Sequence, residues 1–292
     1  MDKIAIVADS IACLTKEMVE QYGIRIVPAN ILFDGKVYRE WVDISTSEAY
    51  RLLERDPGRF TTSAPSPADF LEAYYELSSR AQDILCITLS AKFSMVHDAA
   101  QVAKEQAEKE LPQTNIKVLD SRTAAAAEGF VVLAAARAVA EGKNLAEVIQ
   151  VADGVKERVT LFALMETIRH AYRSGRIPKV AALVGSALGV KPIITISDSA
   201  AHFVGIARTR ERGVSRVLLL MREKVGGEPV HVAVMHADAL EEAHKIEERV
   251  AAEFDCVEFW ISEFSPIMGY TTGRGLLGLT FYTDQGGYDE KG

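Results

Sequence analysis

The apolar run Ile4-Ala5-Ile6-Val7-Ala8 ends in Asp9-Ser10, and the same arrangement returns where residues 116–119 run into Asp120-Ser121. A continuous apolar run of this length predicts a buried strand, and the polar pair marks its carboxyl end. Helical patterns follow both runs. Strands that alternate with helices predict right-handed crossovers, a mostly parallel sheet and ligand binding beyond the carboxyl ends of the strands.

The rest of the chain repeats this alternation. Residues 83–89 predict a further strand that leads into Ser90-Ala91-Lys92-Phe93-Ser94, and a second set of strands and helices follows residue 156. We therefore expect an α/β protein of two domains with mostly parallel sheets, a ligand between the domains, and a tail that lacks fixed structure. The predicted boundaries are 1–155 for the first domain, 156–285 for the second and 286–292 for the disordered tail.

The composition of the chain limits which kinds of partner the protein is expected to bind. The 292 residues include 33 basic and 41 acidic side chains, a net charge of −8, so no basic surface for nucleic acid or an anionic membrane is expected. Three widely separated cysteines, Cys13, Cys86 and Cys256, show no metal or redox spacing and predict core thiols in a reducing cytoplasm. Neither a secretory signal nor a membrane span is predicted, because the alanine-rich segment 123–140 contains Glu128 and Arg137.

The stretch Thr61-Thr62-Ser63-Ala64-Pro65-Ser66-Pro67 places hydroxyl groups directly before a helix start. Ser66 is a good N-cap, proline is tolerated in a first helical turn, and Asp69 suits the positive end of the helix dipole. Two interpretations remain open on these residues alone: a well-capped helix, or a cradle for a polar ligand head.

Other motifs carry weaker signals. The loop Gly273-Arg274-Gly275 lacks both the dinucleotide fingerprint and the Walker lysine, and no nucleophile elbow or metal-ligand spacing is found. Arg169, Arg173 and Arg176 follow one another at helical spacing, which predicts either a solvated basic face or a guanidinium that binds an anion.

Taken together, the ordered motifs resemble those of the DegV family of bacterial fatty-acid-binding proteins. Residues 61–67 match the family's Thr-Ser-x-Pro-Ser-Pro, and residues 89–94 match its Leu-Ser-Ser-x-x-Ser. Asp9-Ser10, Asp120-Ser121, Gly175-Arg176-Ile177, Arg208-Thr209-Arg210 and residues 272–278 extend the resemblance over nearly the whole chain.

The resemblance implies a fatty acid, such as palmitate, stearate or oleate, held between two α/β domains without a metal or cofactor. Its carboxylate is expected at Thr62 and Ser94, with Ser63 adjacent. Some family members present the bound acid to a separate kinase, so the resemblance implies a carrier rather than an enzyme. Hydroxyl groups suit such a ligand, because an ionised carboxylate only accepts hydrogen bonds.

The sequence departs from the family pattern at the distant loop. The family's His-Thr-Gly-Pro-Gly is Thr271-Thr272-Gly273-Arg274-Gly275 here. Thr271 is the remaining candidate carboxylate ligand from this loop, but it cannot become a cation near neutral pH as histidine can. Arg176 and Arg274 are the candidate anion or phosphate contacts.

Two other functions remain open at this point. One is an enzyme that acts on a small carboxylate or phosphate, with Asp9 or Asp120 as base and Arg176 or Arg274 as anion clamp. The other is a diverged relative that recognises a partner protein.

Overall fold

The computed structural model describes residues 2–168, 170–171 and 189–284, in which strands and helices alternate along most of the chain. The predicted α/β class is confirmed. The strands are β1 (Asp2–Asp9), β2 (Arg25–Val27), β3 (Asn30–Phe33), β4 (Lys36–Arg39), β5 (Phe60–Ser63), β6 (Ala81–Thr88), β7 (Asn115–Asp120), β8 (Thr160–Leu164), β9 (Lys191–Ser197), β10 (Ala200–Ala207), β11 (Val230–His236), β12 (Cys256–Glu263) and β13 (Leu277–Thr283). The helices are α1 (Lys16–Tyr22), α2 (Thr46–Arg55), α3 (Pro67–Ser78), α4 (Val96–Glu110), α5 (Ala126–Ala140), α6 (Leu145–Arg158), α7 (Arg210–Val225), α8 (Leu240–Glu253) and α9 (Pro266–Thr272), and a 3-10 turn covers Ser10–Ala12.

The first sheet has the strand order β2-β1-β6-β7, and all of its pairs are parallel, as the sequence predicts. A separate small sheet, β4-β3-β5, is antiparallel. Its β3–β4 hairpin turns at Asp34 and Gly35, whose φ angles of 53° and 77° are those of a type I′ turn. From the sequence alone, an Asp-Gly pair between two short apolar runs predicts a hairpin with such a turn, and the structure confirms it.

The larger sheet, with the order β10-β9-β8-β13-β11-β12, corrects the expectation of a mostly parallel arrangement in this half. Only β11 and β12 are parallel neighbours within it. The β9–β10 turn, at Asp198 and Ser199, is too short for a crossover and returns the chain antiparallel. The C-terminal strand β13 then lies between β8 and β11 and runs antiparallel to both.

Three other sequence predictions need correction or fall outside the described ranges. Cys13 and Cys86 are buried as expected, whereas Cys256, the first residue of β12, is only half-buried. The glycines and threonines of residues 269–275 predict a loop over that whole range, but the loop is shorter because α9 continues to Thr272. Pro266 in the first turn and the Ser265 cap are the helix signals that this prediction overlooked. The tail 286–292 lies outside the described residues.

Helix α5 packs between the first and the larger sheet and is buried on nearly all sides. One face contacts β1 and β6; another reaches the larger sheet, where the ring of Phe130 lies 4.3 Å from that of Trp260 and 5.0 Å from that of Tyr282. This explains why its sequence is apolar all round without being a bilayer span. Among the described helices, none is long and apolar enough to cross a membrane.

The approach of α5 to the 3-10 turn depends on Gly129. A Cβ atom at this position would lie 2.5 Å from the backbone carbonyl oxygen of Ala12. A backbone atom cannot move aside as a flexible side chain can, so α5 would have to shift.

We expect Gly129→Ala to lower the free energy of unfolding by about 2 kcal/mol, because overpacking outweighs the better helix propensity of alanine. Gly154→Ala, in the middle of α6, is the matched control: its Cβ would meet only Arg158, at 3.9 Å. That control should be neutral or slightly stabilising. Urea denaturation of both variants measures the difference, and equal stabilities would contradict the close approach.

Candidate functional site

A cavity of about 420 Å³ lies between the first sheet and the larger sheet. Its volume is in the range of small-molecule sites, about 300–1,000 Å³. The wall comes from the loops after β5 and β6, from α9 and from strands β9 and β10. The lining residues are Ile11, Thr62, Ser63, Ala64, Leu89, Ala91, Lys92, Phe93, Ser94, Met95, Ala124, Ile194, Ile196, Ala201, Ile267, Met268, Thr271 and Thr272.

The stretch before α3 forms both a helix cap and part of this wall. Ser66 Oγ accepts the Asp69 N–H at 3.4 Å, and the Asp69 carboxylate accepts the Ser66 N–H at 2.6 Å, which completes a capping box. Upstream, Thr62 pairs with Ile31 in the small sheet, so Thr62 and Ser63 are held at the cavity by β5. The two interpretations of this stretch are therefore compatible.

The loop after β6 brings Ser94 to the same cavity. Asp9 Oδ2 accepts the Leu89 N–H at 2.8 Å, and the Ser90 carbonyl accepts the Phe93 N–H at 3.0 Å, so the loop is tied to β1 and to itself. In the described part of the chain, no protein group makes a hydrogen bond with the hydroxyl groups of Thr62, Ser63 or Ser94. All three can donate to a bound ligand.

The other predicted site residues are placed differently. Thr271 lines the cavity, but its hydroxyl group donates to the Ile267 carbonyl at 3.1 Å, within α9. Arg274 does not line the cavity and forms ion pairs with Glu54 and Asp238. Arg176 lies outside the described residues. Of the predicted carboxylate ligands, Thr62, Ser63 and Ser94 thus have hydroxyl groups without a protein partner.

Helix α9 is fixed against α2 and the end of β1. The Tyr50 hydroxyl donates to the Phe264 carbonyl at 3.0 Å, and a Cβ on Gly269 would lie only 2.3 Å from the Tyr50 ring. Glu40 Oε2 accepts the hydroxyl groups of Ser10, at 2.6 Å, and of Ser265, at 2.9 Å. Glu40 therefore links the start of α9 to the 3-10 turn that follows β1.

Three buried carboxyl groups lie behind the cavity and have no cationic partner among the described residues. Burial raises the pKa of Glu40 to about 7, although the Ser10 and Ser265 hydroxyls oppose this. Burial likewise raises the pKa of Asp9 to about 6, although its oxygens accept the N–H groups of Leu89 and Ile11. Glu128 faces Asp9, and burial together with the Asp9 charge raises its pKa well above normal. Neither carboxyl oxygen of Glu128 has a hydrogen-bond partner among the described residues.

Sequence reasoning missed three residues of this region. Of the described residues that line the cavity, Lys92 is the one with a charged side chain, yet it falls at an unspecified position of the serine motif. The sequence predicts no role in the site for Glu40, and Glu128 enters only as a charge that argues against a bilayer span. For Glu128, the alanine-rich apolar surroundings were a usable signal, because a helix without a polar face buries its one acidic side chain as well.

The fold and this site define an α/β protein with a ligand-sized cavity between two sheets and hydroxyl donors on its wall. The family profile for the uncharacterised proteins of the DegV family matches residues 3–284. This chain belongs to the DegV family.

Relatives support that assignment over their full lengths. The protein DegV of Bacillus subtilis is 31% identical over 278 residues, which is 94% of this chain and 98% of the relative. The crystal structure of DegV, a fatty acid binding protein from Bacillus subtilis, is 29% identical with a TM-score of 0.87 and covers 97% of this chain and 100% of its own. A stearic acid-binding protein from Eubacterium ventriosum is 26% identical with a TM-score of 0.89, at coverages of 96% and 98%.

Glu40 predicts a measurable dependence of stability on pH. Its pKa is higher in the folded protein than the ordinary value of 4.5, so its contribution to stability is present below pH 4.5 and is lost as the pH rises through 7. Glu40→Gln has no such titration at this position. Its free energy of unfolding, taken relative to that of wild type, should therefore increase by about 2 to 3 kcal/mol from pH 5 to pH 8.

Urea denaturation at the two pH values measures this difference. Glu105→Gln, on the exposed face of α4, controls for removal of one acidic group. If Glu40→Gln and the control respond alike to pH, the account of a buried Glu40 carboxyl group is wrong.

Proposed function

We propose that this protein binds a long-chain fatty acid, with the carboxylate at Thr62, Ser63 and Ser94 and the acyl chain along the apolar wall of the cavity. The observation that carries the proposal is the combination of three unpartnered hydroxyl groups with an otherwise mainly apolar lining. The apolar part includes Ile11, Leu89, Phe93, Ile194, Ile196 and Ile267.

The energetics favour such a ligand. Burial of about sixteen methylene groups at about 0.8 kcal/mol each gives a gross gain of about 13 kcal/mol. Removal of a carboxylate from water opposes this gain, and charge-assisted hydrogen bonds from several donors reduce that cost. Thr62, Ser63 and Ser94 supply those donors on the wall of the same cavity. The carboxylate needs no metal in this arrangement.

Related structures point to the same ligand class. The Bacillus subtilis protein is a fatty acid binding protein, the Eubacterium ventriosum protein binds stearic acid, and a DegV family protein from Thermus thermophilus, 25% identical with a TM-score of 0.87, also binds fatty acid. Each of them matches at least 96% of this chain.

We further propose that the protein carries the acid rather than converts it. Asp9, the candidate base, is fully buried, and each of its oxygens already accepts a backbone N–H. Asp120 accepts the Arg122 N–H at 2.7 Å, and Arg274 is engaged by two carboxylates. A separate kinase, as the family resemblance implies, would then act on the presented carboxyl group, in the cytoplasm where ATP is available.

Purified protein should carry about one fatty acid of sixteen or eighteen carbons per chain. Native mass spectrometry gives the mass of the complex, and denaturing lipid extraction identifies the acid. Lipid-free protein that also fails to bind added palmitate, stearate or oleate would refute the proposal.

If the Thr62 and Ser94 hydroxyl groups bind the carboxylate, substitution of Thr62 and substitution of Thr271 should change ligand affinity by different amounts, although both threonines line the cavity. Thr62→Val removes a donor without changing the side-chain shape, so the Kd should rise about 10- to 100-fold, the value of one charge-assisted hydrogen bond of about 1.5 to 3 kcal/mol. Ser94→Ala should have a similar effect. Thr271→Val is the matched control, since its hydroxyl donates to Ile267, and its Kd should change less than about threefold.

Isothermal titration with oleate measures all three variants, and thermal melting checks that they fold. A loss of affinity in Thr271→Val equal to that in Thr62→Val would place the carboxylate at α9 instead.

A further inference from the structure

Lys92 differs from every other residue of the cavity wall. It lies in the loop after β6 and its side chain is exposed. Among the lining residues that the structure describes, it is the one with a charged side chain, and the others are apolar or hydroxylic. Its ammonium group donates to the backbone carbonyl of Asp198 at 3.2 Å. Asp198 lies in the β9–β10 turn, so this bond crosses the opening between the two sheets.

The cation is without a carboxylate partner. Within the described ranges, no Asp or Glu oxygen lies at ion-pair distance from Lys92. An ammonium group has three hydrogens to donate, and a neutral carbonyl oxygen takes one of them. A ligand carboxylate is the stronger acceptor, because hydrogen bonds between ionised groups are shorter and stronger than those to a neutral carbonyl.

We propose that Lys92 recruits the fatty-acid carboxylate at the mouth of the cavity and exchanges its bond to Asp198 for the ligand. This inference rests on the proposed function. The chain has a net charge of −8, which repels an anionic ligand at long range, so a local cation at the entrance governs the encounter. The hydroxyl groups of Thr62 and Ser94 then hold the carboxylate once it is bound.

Lys92 and the hydroxyl groups are therefore expected to affect different rate constants of ligand binding. Loss of a charge at the mouth lowers the association rate and its dependence on salt, whereas loss of a hydroxyl group inside raises the dissociation rate. A unit charge pair at about 4 Å in water is worth about 1 kcal/mol, which corresponds to about a fivefold change in rate.

Stopped-flow binding of oleate, below its micelle concentration and at 10 and 150 mM salt, tests the inference. We expect Lys92→Met to associate about fivefold more slowly than wild type at low salt, and added salt should no longer slow its association. Lys92→Glu should be slower still, and Lys92→Arg should keep the rate. Lys109→Met removes the same charge at the far end of α4, about 21 Å along the helix from Met95, and should match wild type.

The outcomes separate this inference from the proposed function. If Lys92→Met and Lys109→Met associate equally fast, or if only the dissociation rate of Lys92→Met changes, recruitment by Lys92 is wrong while fatty-acid binding stands. If wild type does not bind oleate, the proposed function is wrong. Melting curves confirm that the variants fold, which is expected because the Lys92 side chain is exposed.

Discussion

The Glu40 carboxylate joins two parts of the chain that are more than 200 residues apart. It accepts the hydroxyl of Ser10, at the end of β1, and that of Ser265, which caps α9. One wall of the cavity is built on the first sheet and another on α9, so this contact sets the distance between them. Burial of the Glu40 carboxyl group has an energetic cost, because the surroundings that raise its pKa disfavour its ionised form. Glu40 therefore fixes the position of α9 relative to Ser10 and is not a source of net stability.

The hydroxyl groups on the cavity wall are of two kinds: some already donate to the protein, and others are free to donate to a ligand. Thr271 and Thr272 donate to carbonyl groups one turn back in α9, at 3.1 and 2.7 Å, and so complete the helix. Thr62 is held by the pairing of β5 with β3, and Ser94 lies on a loop that other bonds hold, which leaves their hydroxyl groups free to donate. A ligand carboxylate needs hydrogen-bond donors. Thr62 can therefore bind it, whereas Thr271, although also a threonine, already donates within α9. Exposure to the cavity alone does not identify a ligand-binding hydroxyl.

The local features of the sequence predicted much of this molecule. Ser66 and Asp69 marked the helix start, and the Asp-Gly pair marked the hairpin, because both depend on neighbouring residues alone. The ordered serine and threonine motifs also indicated Thr62, Ser63 and Ser94, which the structure brings to one cavity.

Features set by distant packing were not predictable in this way. The insertion of β13 between β8 and β11 depends on tertiary pairing, which strand periodicity does not encode. The burial of Glu40 depends on the docking of α9, and the role of Lys92 depends on the β9–β10 turn, 106 residues away. The engagement of the Thr271 hydroxyl followed from the same docked helix, which the sequence presented as a loop.

The most direct measurement for this account is a crystal structure of the protein with palmitate. The account predicts an acyl chain in the cavity between the sheets, with carboxylate oxygens about 2.5 to 3.0 Å from Thr62 Oγ1 and Ser94 Oγ. A carboxylate bound beside Thr271 or Arg274, or an acyl chain outside this cavity, would contradict it.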